Sequence, residues 1–143
     1  MKPKINGLAR PWVHRLASGG LLANHSMRIV NQRDGCVIAD KVEVAQSLAA
    51  RLIGLMGRAG LPENSAFVIS GCKQVHTFLM RFSIDVVFMD VESKVVRVVE
   101  YLRPWRITNH CRDAARAVEL PAGAVLLRAM RVGDILKFED VNE

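Results

Sequence analysis

A segment in the middle of the chain, Cys72–Asp90, combines groups that could do chemistry with residues that favour β-strands. A cysteine, a histidine, an arginine and two aspartates lie there among β-branched and aromatic residues. A polar group within a buried strand costs free energy unless it has a hydrogen-bonding partner. The segment therefore holds either a binding site or a set of polar groups that are satisfied within the core.

Strand alternation predicts how these groups are arranged. His76 would share one face with Phe78, Met80 and Phe82, while Arg81 would point to the opposite face with its neighbours Thr77 and Leu79. Asp85, in the next predicted strand, needs donors, and Arg81 or His76 could supply them across the hairpin. The pairing would either fix the strand register or form the rim of a pocket for a polar ligand.

Metal binding and thiol chemistry are the catalytic alternatives. Cys72 and His76 are spaced C-x3-H, and His110 with Cys111 could complete a zinc-binding set. Adjacent residues do not converge easily on one ion, and the chain has no C-x2-C pair. A Cys–His nucleophile would need an orienting third residue, which the sequence does not identify. No cofactor or metal is predicted.

A second polar segment, Arg103–Arg112, contains three arginines and one tryptophan. Arginine beside an aromatic ring can stack on a planar group or hold a phosphate. The simpler interpretation is a solvated irregular loop, because no RNA-binding signature accompanies it. We predict that Arg103 and Trp105 lie beside the central segment as part of a ligand-binding site.

Composition limits the class of protein. A chain of 143 residues, half of them hydrophobic and 24% charged, is typical of one globular domain. No apolar run approaches the roughly 20 residues that a membrane-spanning helix needs. Three cysteines are too few for a disulfide framework, which favours a reducing, cytoplasmic environment.

The positive charge is concentrated near the amino terminus. Residues 1–33 carry six basic residues and no acid, whereas the rest of the chain has 14 of each sign. The net charge of +6 therefore describes an extension, not a nucleic-acid-binding domain. We predict a partly disordered basic extension over residues 1–26 and a single domain over residues 27–143. Nucleic acid would associate only weakly, through the extension.

Hydrophobic patterning predicts mainly β-structure. Seven or eight strands are expected, including one over Val75–Phe82, with hairpin-length connections. Ser47 is predicted to cap a helix that ends at Gly57, with its leucine and methionine stripe (Leu48, Leu52, Leu55, Met56) in the core. The predicted class is α+β, mainly β: an antiparallel sheet closing into a small barrel or sandwich, with one or two short helices at its edge.

Several segments, in this order and spacing, resemble one family. They are Arg51–Arg58, Val75–Asp90, Glu119–Gly123 and Val132–Asp134. Together they are similar to domain-of-unknown-function family 192 over about residues 35–140. The resemblance implies a compact, mainly β domain with a short helix after the second strand, and it implies no activity. Leu79 stands where relatives usually show Gly or Trp, and Ser83 where Pro is common.

The leading functional hypothesis is a non-catalytic or accessory domain. It would bind a small polar or anionic ligand, or a partner segment, near His76, Arg81 and Asp85, with Arg103 and Trp105 alongside. The alternative is a hydrolase or metal-dependent enzyme that uses His76, Asp85 and a cysteine.

Overall fold

The computed structural model describes residues 22–24 and 26–141. Its elements follow the chain in this order: β1 (Leu22–Asn24), β2 (Met27–Asn31), β3 (Val37–Ala39), β4 (Lys41–Ala45), α1 (Leu48–Ile53), β5 (Ser65–Ser70), β6 (Ile84–Met89), β7 (Val95–Leu102), β8 (Arg116–Pro121), α2 (Ala124–Leu127) and β9 (Leu136–Asp140). Over the described residues, the prediction of mainly β structure with one or two short helices is confirmed. Of the predicted extension, β1 and Ser26 are described, and the remainder lies outside the described residues.

The strands form two sheets. The larger has six strands in the order β1-β4-β5-β8-β6-β7, and the smaller has three in the order β3-β2-β9. All neighbours are antiparallel except β4 and β5, which run parallel because α1 and the loop after it carry the chain back across the sheet. Among the described residues neither sheet closes on itself, so the predicted barrel or sandwich is not confirmed, and the larger sheet is mixed.

The two faces of the larger sheet support two separate cores. Alternation in β6 directs Val87 and Met89 toward one core, which also contains Ile29 and Leu136 of the smaller sheet. Ile84, Val86 and Phe88 point to a second core beneath α1 and the irregular segments that follow β5 and β7. The second core is thus covered by loops and a short helix, where a cavity can open more easily than between two sheets.

Two local predictions about this covering layer are wrong. Val75–Phe82 is not a strand: within it the structure has one isolated bridge, between His76 and Ile107, and otherwise turns. The face assignment of His76, Phe78 and Arg81 therefore fails with it. Leu79 within this turn has φ 62°, a left-handed conformation that favours glycine, and the family resemblance implies Gly or Trp at this position.

Helix α1 also differs from its prediction. Ser47 caps it as predicted, accepting a hydrogen bond from the Ala50 N–H at 3.0 Å, but the helix ends three residues earlier, at Gly54. Leu48 and Leu52 are exposed at 71% and 60%, whereas Leu55 beyond the helix is buried. The apolar stripe is therefore only partly in the core. Among the described residues, no helix is long and apolar enough to cross a membrane.

Candidate functional site

Thr77 joins the two segments that were predicted to lie together. Its side chain is fully buried, and its hydroxyl donates to the Arg103 carbonyl at 2.6 Å and accepts from the Arg106 N–H at 2.9 Å. Its backbone adds bonds from Thr77 N–H to Arg106 O and from Trp105 N–H to Thr77 O. One threonine thus holds the loop after β7 against the loop before β6.

The Thr77 hydroxyl is therefore a testable structural link. We expect Thr77→Val, which keeps the shape and removes the hydroxyl, to lower the free energy of unfolding by about 1–3 kcal/mol. Thr77→Ser keeps the hydroxyl and is the matched control. Urea denaturation measures both, and equal midpoints for the two variants would show that the hydroxyl does not hold the loops.

Above Thr77 the two loops present an aromatic surface. The His76 and Phe78 rings stack with centroids 5.0 Å apart, and Phe78 lies 6.2 Å from Trp105. Trp105 is 58% exposed, and its backbone has φ 61°, a left-handed conformation that is unfavourable for a residue other than glycine. Arg103 is exposed beside it. The prediction that His76, Arg103 and Trp105 belong to neighbouring segments agrees with this geometry.

Asp85 has different partners from those predicted. It is fully buried in β6, and its carboxylate accepts from the N–H groups of Tyr101 (2.9 Å), Gly123 (3.1 Å) and Val125 (2.9 Å). The donors are thus backbone groups, and the predicted Arg81–Asp85 pairing is wrong. Arg81 is exposed in the turn before β6. The carboxylate joins β6 to an irregularity in its pairing with β7 and to the turn that starts α2.

Gly123 occupies a position in this turn that favours glycine. Its φ is 91°, and a Cβ atom added there would lie 2.9 Å from the Tyr101 Oη. The backbone conformation therefore favours glycine, whereas the Tyr101 hydroxyl, at the end of an exposed side chain, could move aside. Asp85 of the central motif and Gly123 of the Glu119–Gly123 motif are thus joined by a hydrogen bond that stabilises the fold.

A cavity lies between α1 and the loop that contains Cys72 and Met80. We call it the Glu119 pocket. Its volume is about 240 Å³, and it is lined by Leu48, Arg51, Leu52, Ile53, Gly54, Leu55, Met56, Ile69, Cys72, Gln74, Val75, His76, Met80 and Glu119. Most of the lining is apolar, and the polar groups are few, which is typical of a small-molecule site. His76 belongs both to this pocket and to the aromatic surface.

Glu119 is the unusual member of the lining. Its side chain lies in β8, where it is 4% exposed, and its Oε2 atom is buried without a hydrogen-bonding partner among the described residues. Burial raises the pKa of this carboxyl from 4.5 to about 8, against a smaller opposing effect of Arg58. Arg58 is itself held by Glu43 through bonds of 2.9 and 3.2 Å. At neutral pH Glu119 is therefore largely uncharged.

The cysteine and metal hypotheses find little support in the same geometry. Burial raises the pKa of the Cys72 thiol, so the thiol stays protonated at neutral pH, and it contacts the Gln74 carbonyl at 3.2 Å. No group of three or more His, Cys, Asp or Glu residues that could hold a metal ion occurs in the described part of the chain.

Glu119 and Arg51 were not among the predicted site residues. In sequence Glu119 is an ordinary polar residue in an alternating strand, and its burial follows from the register that places it opposite Phe67 of β5 and Val86 of β6. The apolar stripe of α1 was a sequence signal for the pocket, because its leucines could line the mouth of a cavity as well as the core. Arg51 donates to the Gly71 carbonyl at 3.2 Å across that mouth.

Comparison with known proteins shows the family to which this chain belongs. The model of DUF192, described as "Uncharacterized ACR", matches residues 29–138. The chain belongs to the DUF192 family. A UPF0127 protein from Pyrococcus abyssi is 34% identical over 113 residues, covering 74% of this chain and 92% of the relative. One from Pyrococcus furiosus is 32% identical, covering 77% and 97%.

Two crystal structures share the fold of this DUF192 protein. A Sinorhizobium meliloti protein, described as a candidate transcription regulator, has a TM-score of 0.72 at 22% identity and covers 85% of this chain and 98% of its own. A protein of unknown function from Novosphingobium aromaticivorans has a TM-score of 0.68 at 15% identity, covering 85% and 94%. At these identities the likeness concerns the fold alone.

Proposed function

We propose that this DUF192 protein is a non-catalytic binding domain that holds a small ligand in the Glu119 pocket. The observation that carries the proposal is Glu119 itself, which lines an open cavity and whose buried Oε2 atom has no hydrogen-bonding partner among the described residues. Leaving a buried polar atom unpaired costs about 1–3 kcal/mol. A ligand that supplies the missing bond would recover this free energy on binding.

The apolar rim supports a ligand in the same place. Leu48, Leu52 and Ile53 of α1 line the cavity and are each more than half exposed. Apolar side chains grouped at the mouth of a cavity favour contact with an apolar ligand body. His76, Arg103 and Trp105 are the polar and aromatic groups that we propose to contact any part of the ligand that extends beyond the mouth. Arg81 and Asp85 are left out of this refined site.

The enzymatic alternative would use His76, Asp85 and a cysteine. The carboxylate of Asp85 is engaged by three backbone N–H groups, and the Cys72 thiol is buried and protonated. A general base needs a free lone pair, and a nucleophile needs thiolate character. Binding without catalysis therefore accounts better for these contacts.

We also propose a reducing, cytoplasmic environment. Cys36, Cys72 and Cys111 are all free thiols, and Cys36 is partly exposed. A free, accessible thiol in an oxidising compartment would be open to pairing or oxidation.

The proposal can be tested by filling the mouth of the pocket. Compounds from sugar, nucleotide and carboxylate libraries are added to the full chain, and amide NMR signals are followed. We expect a ligand to shift the signals of Ile69, Val75 and Met80, and Leu52→Trp to abolish these shifts by occupying the mouth.

Leu126→Trp is the matched control, because Leu126 lies on the short helix α2, is 72% exposed and does not line the pocket. A ligand that binds both tryptophan variants equally would contradict the proposed location. The proposed function would be contradicted if neither these libraries nor an uncharged aromatic amide shifted the signals of the pocket.

A further inference from the structure

The chemistry of the pocket narrows the class of ligand, and this inference rests on the proposed function. Glu119 is the buried carboxyl of the lining, and the other buried residues that line the pocket with it are predominantly apolar: Leu55, Ile69, Cys72, Val75 and Met80. A charge placed among such groups loses its hydration without adequate compensation. The floor of the pocket therefore disfavours an ionised ligand group, of either sign.

The titratable and charged groups around Glu119 also disfavour an ionised ligand group. Arg58 is neutralised by Glu43, and Arg51 lies at the exposed mouth, where it donates to the Gly71 carbonyl. Cys72 and His76 complete the set of titratable groups in the lining. None of these four side chains hydrogen-bonds to the Oε2 atom of Glu119. A cationic ligand group would meet the Arg51 guanidinium in the lining, which adds repulsion to the cost of dehydration.

A neutral carboxyl offers both hydrogen-bonding functions. Its hydroxyl oxygen donates and its carbonyl oxygen accepts, and the proton can reside on either oxygen. A group with an N–H donor beside a C=O acceptor can satisfy Oε2 in both cases. Amides, lactams and cyclic imides have such an edge and carry no charge.

We propose that the Glu119 pocket binds an uncharged ligand with an apolar body and an amide-type edge, and that this edge hydrogen-bonds to the Glu119 carboxyl. The cavity of about 240 Å³ lies below the roughly 300–1,000 Å³ of sites for drug-sized molecules, which suits a ligand of about one ring. The exposed apolar residues of α1 would cover the ring, and Arg51 and Gln74 would remain at the mouth.

Three probes of similar size distinguish the ligand classes: benzamide, benzoate and benzylamine. Each is titrated into the full chain while the amide signals of Val75 and Met80 are followed. We expect benzamide to bind most tightly. Its affinity should fall about tenfold between about pH 7 and about pH 9, because ionisation of Glu119 removes the hydroxyl donor and introduces a charge. Glu119→Gln, which cannot ionise, should abolish this decline.

Glu119→Leu separates hydrogen bonding from cavity shape. It keeps an apolar side chain of similar size at the floor, and we expect it to weaken benzamide about tenfold at neutral pH. An unchanged affinity in this variant would show that the amide edge does not contact position 119.

Failure of the inference is distinct from failure of the proposed function. Tighter binding of benzylamine or benzoate at Val75 and Met80 overturns the uncharged class while retaining the pocket as a binding site. Absence of benzamide shifts up to its solubility limit also overturns the class. The binding function as well is overturned only by two results together. Benzamide causes no shifts, and no library compound causes a shift that Leu52→Trp abolishes.

Discussion

Asp85→Ala is expected to lower the free energy of unfolding by about 3–5 kcal/mol, the largest loss that we anticipate for a single side chain in this fold. The carboxylate is fully buried and accepts three backbone N–H bonds, of 2.9, 3.1 and 2.9 Å, from Tyr101, Gly123 and Val125. Alanine leaves these donors facing a cavity. The loss has two parts, the charge-assisted bonds themselves and the dehydration of donors that lose their acceptor, of which the Val125 N–H is buried.

Two variants make the Asp85 measurement interpretable. Asp85→Asn keeps the size and one carbonyl acceptor but turns an N–H group toward other N–H groups, so an intermediate loss is expected. Asp90→Ala is the matched control, because the Asp90 carboxylate also accepts two backbone bonds, from Glu92 and Lys94, but in an exposed turn. Urea denaturation measures all three. A loss for Asp85→Ala no greater than that for Asp90→Ala would refute the structural role.

The role of Asp85 shows where sequence reasoning succeeded and where it failed. Burial of an aspartate in a strand of Val and Phe correctly indicated that it needs donors. The donors are 16, 38 and 40 residues away, and all of them are backbone groups, which carry no sequence signature. The donors predicted across the hairpin, Arg81 or His76, do not bond to Asp85 in the structure. Local patterning identifies a buried acid but not its partner.

The strands could be predicted from the sequence, whereas the pocket could not, for the same physical reason. β5, β6 and β7 were predictable because runs of β-branched residues are interrupted by turns, and alternation then places their side chains. Val75–Phe82 has the same composition but is held as a turn by Thr77, whose partners lie 26 and 29 residues further along the chain. Glu119 became a site residue only through sheet register. Tertiary contacts, not local preference, create the site.

Glu119 gives the second large prediction, which concerns stability against pH. In the unfolded chain its carboxyl ionises near its ordinary pKa of 4.5, whereas the folded protein keeps the proton until about pH 8. Between these values the folded state binds more protons, so stability falls as pH rises and levels off above about pH 8. The total loss attributable to Glu119 is at most about 5 kcal/mol, and we expect on the order of 2 kcal/mol after relaxation.

Glu119→Gln removes this proton linkage, so the difference in stability between wild type and variant reports on Glu119 alone. The hydrogen bond from Arg28 lowers the pKa of Glu139, which opposes the trend at acidic pH, but this contribution cancels in the difference between wild type and variant. We expect similar stabilities near pH 5 and a more stable variant at pH 8, measured by urea denaturation at each pH. A difference that stays constant over this range would mean that Glu119 is already ionised in the folded protein. The uncharged floor of the pocket, and with it the preference for an amide over an amine, would then be lost together.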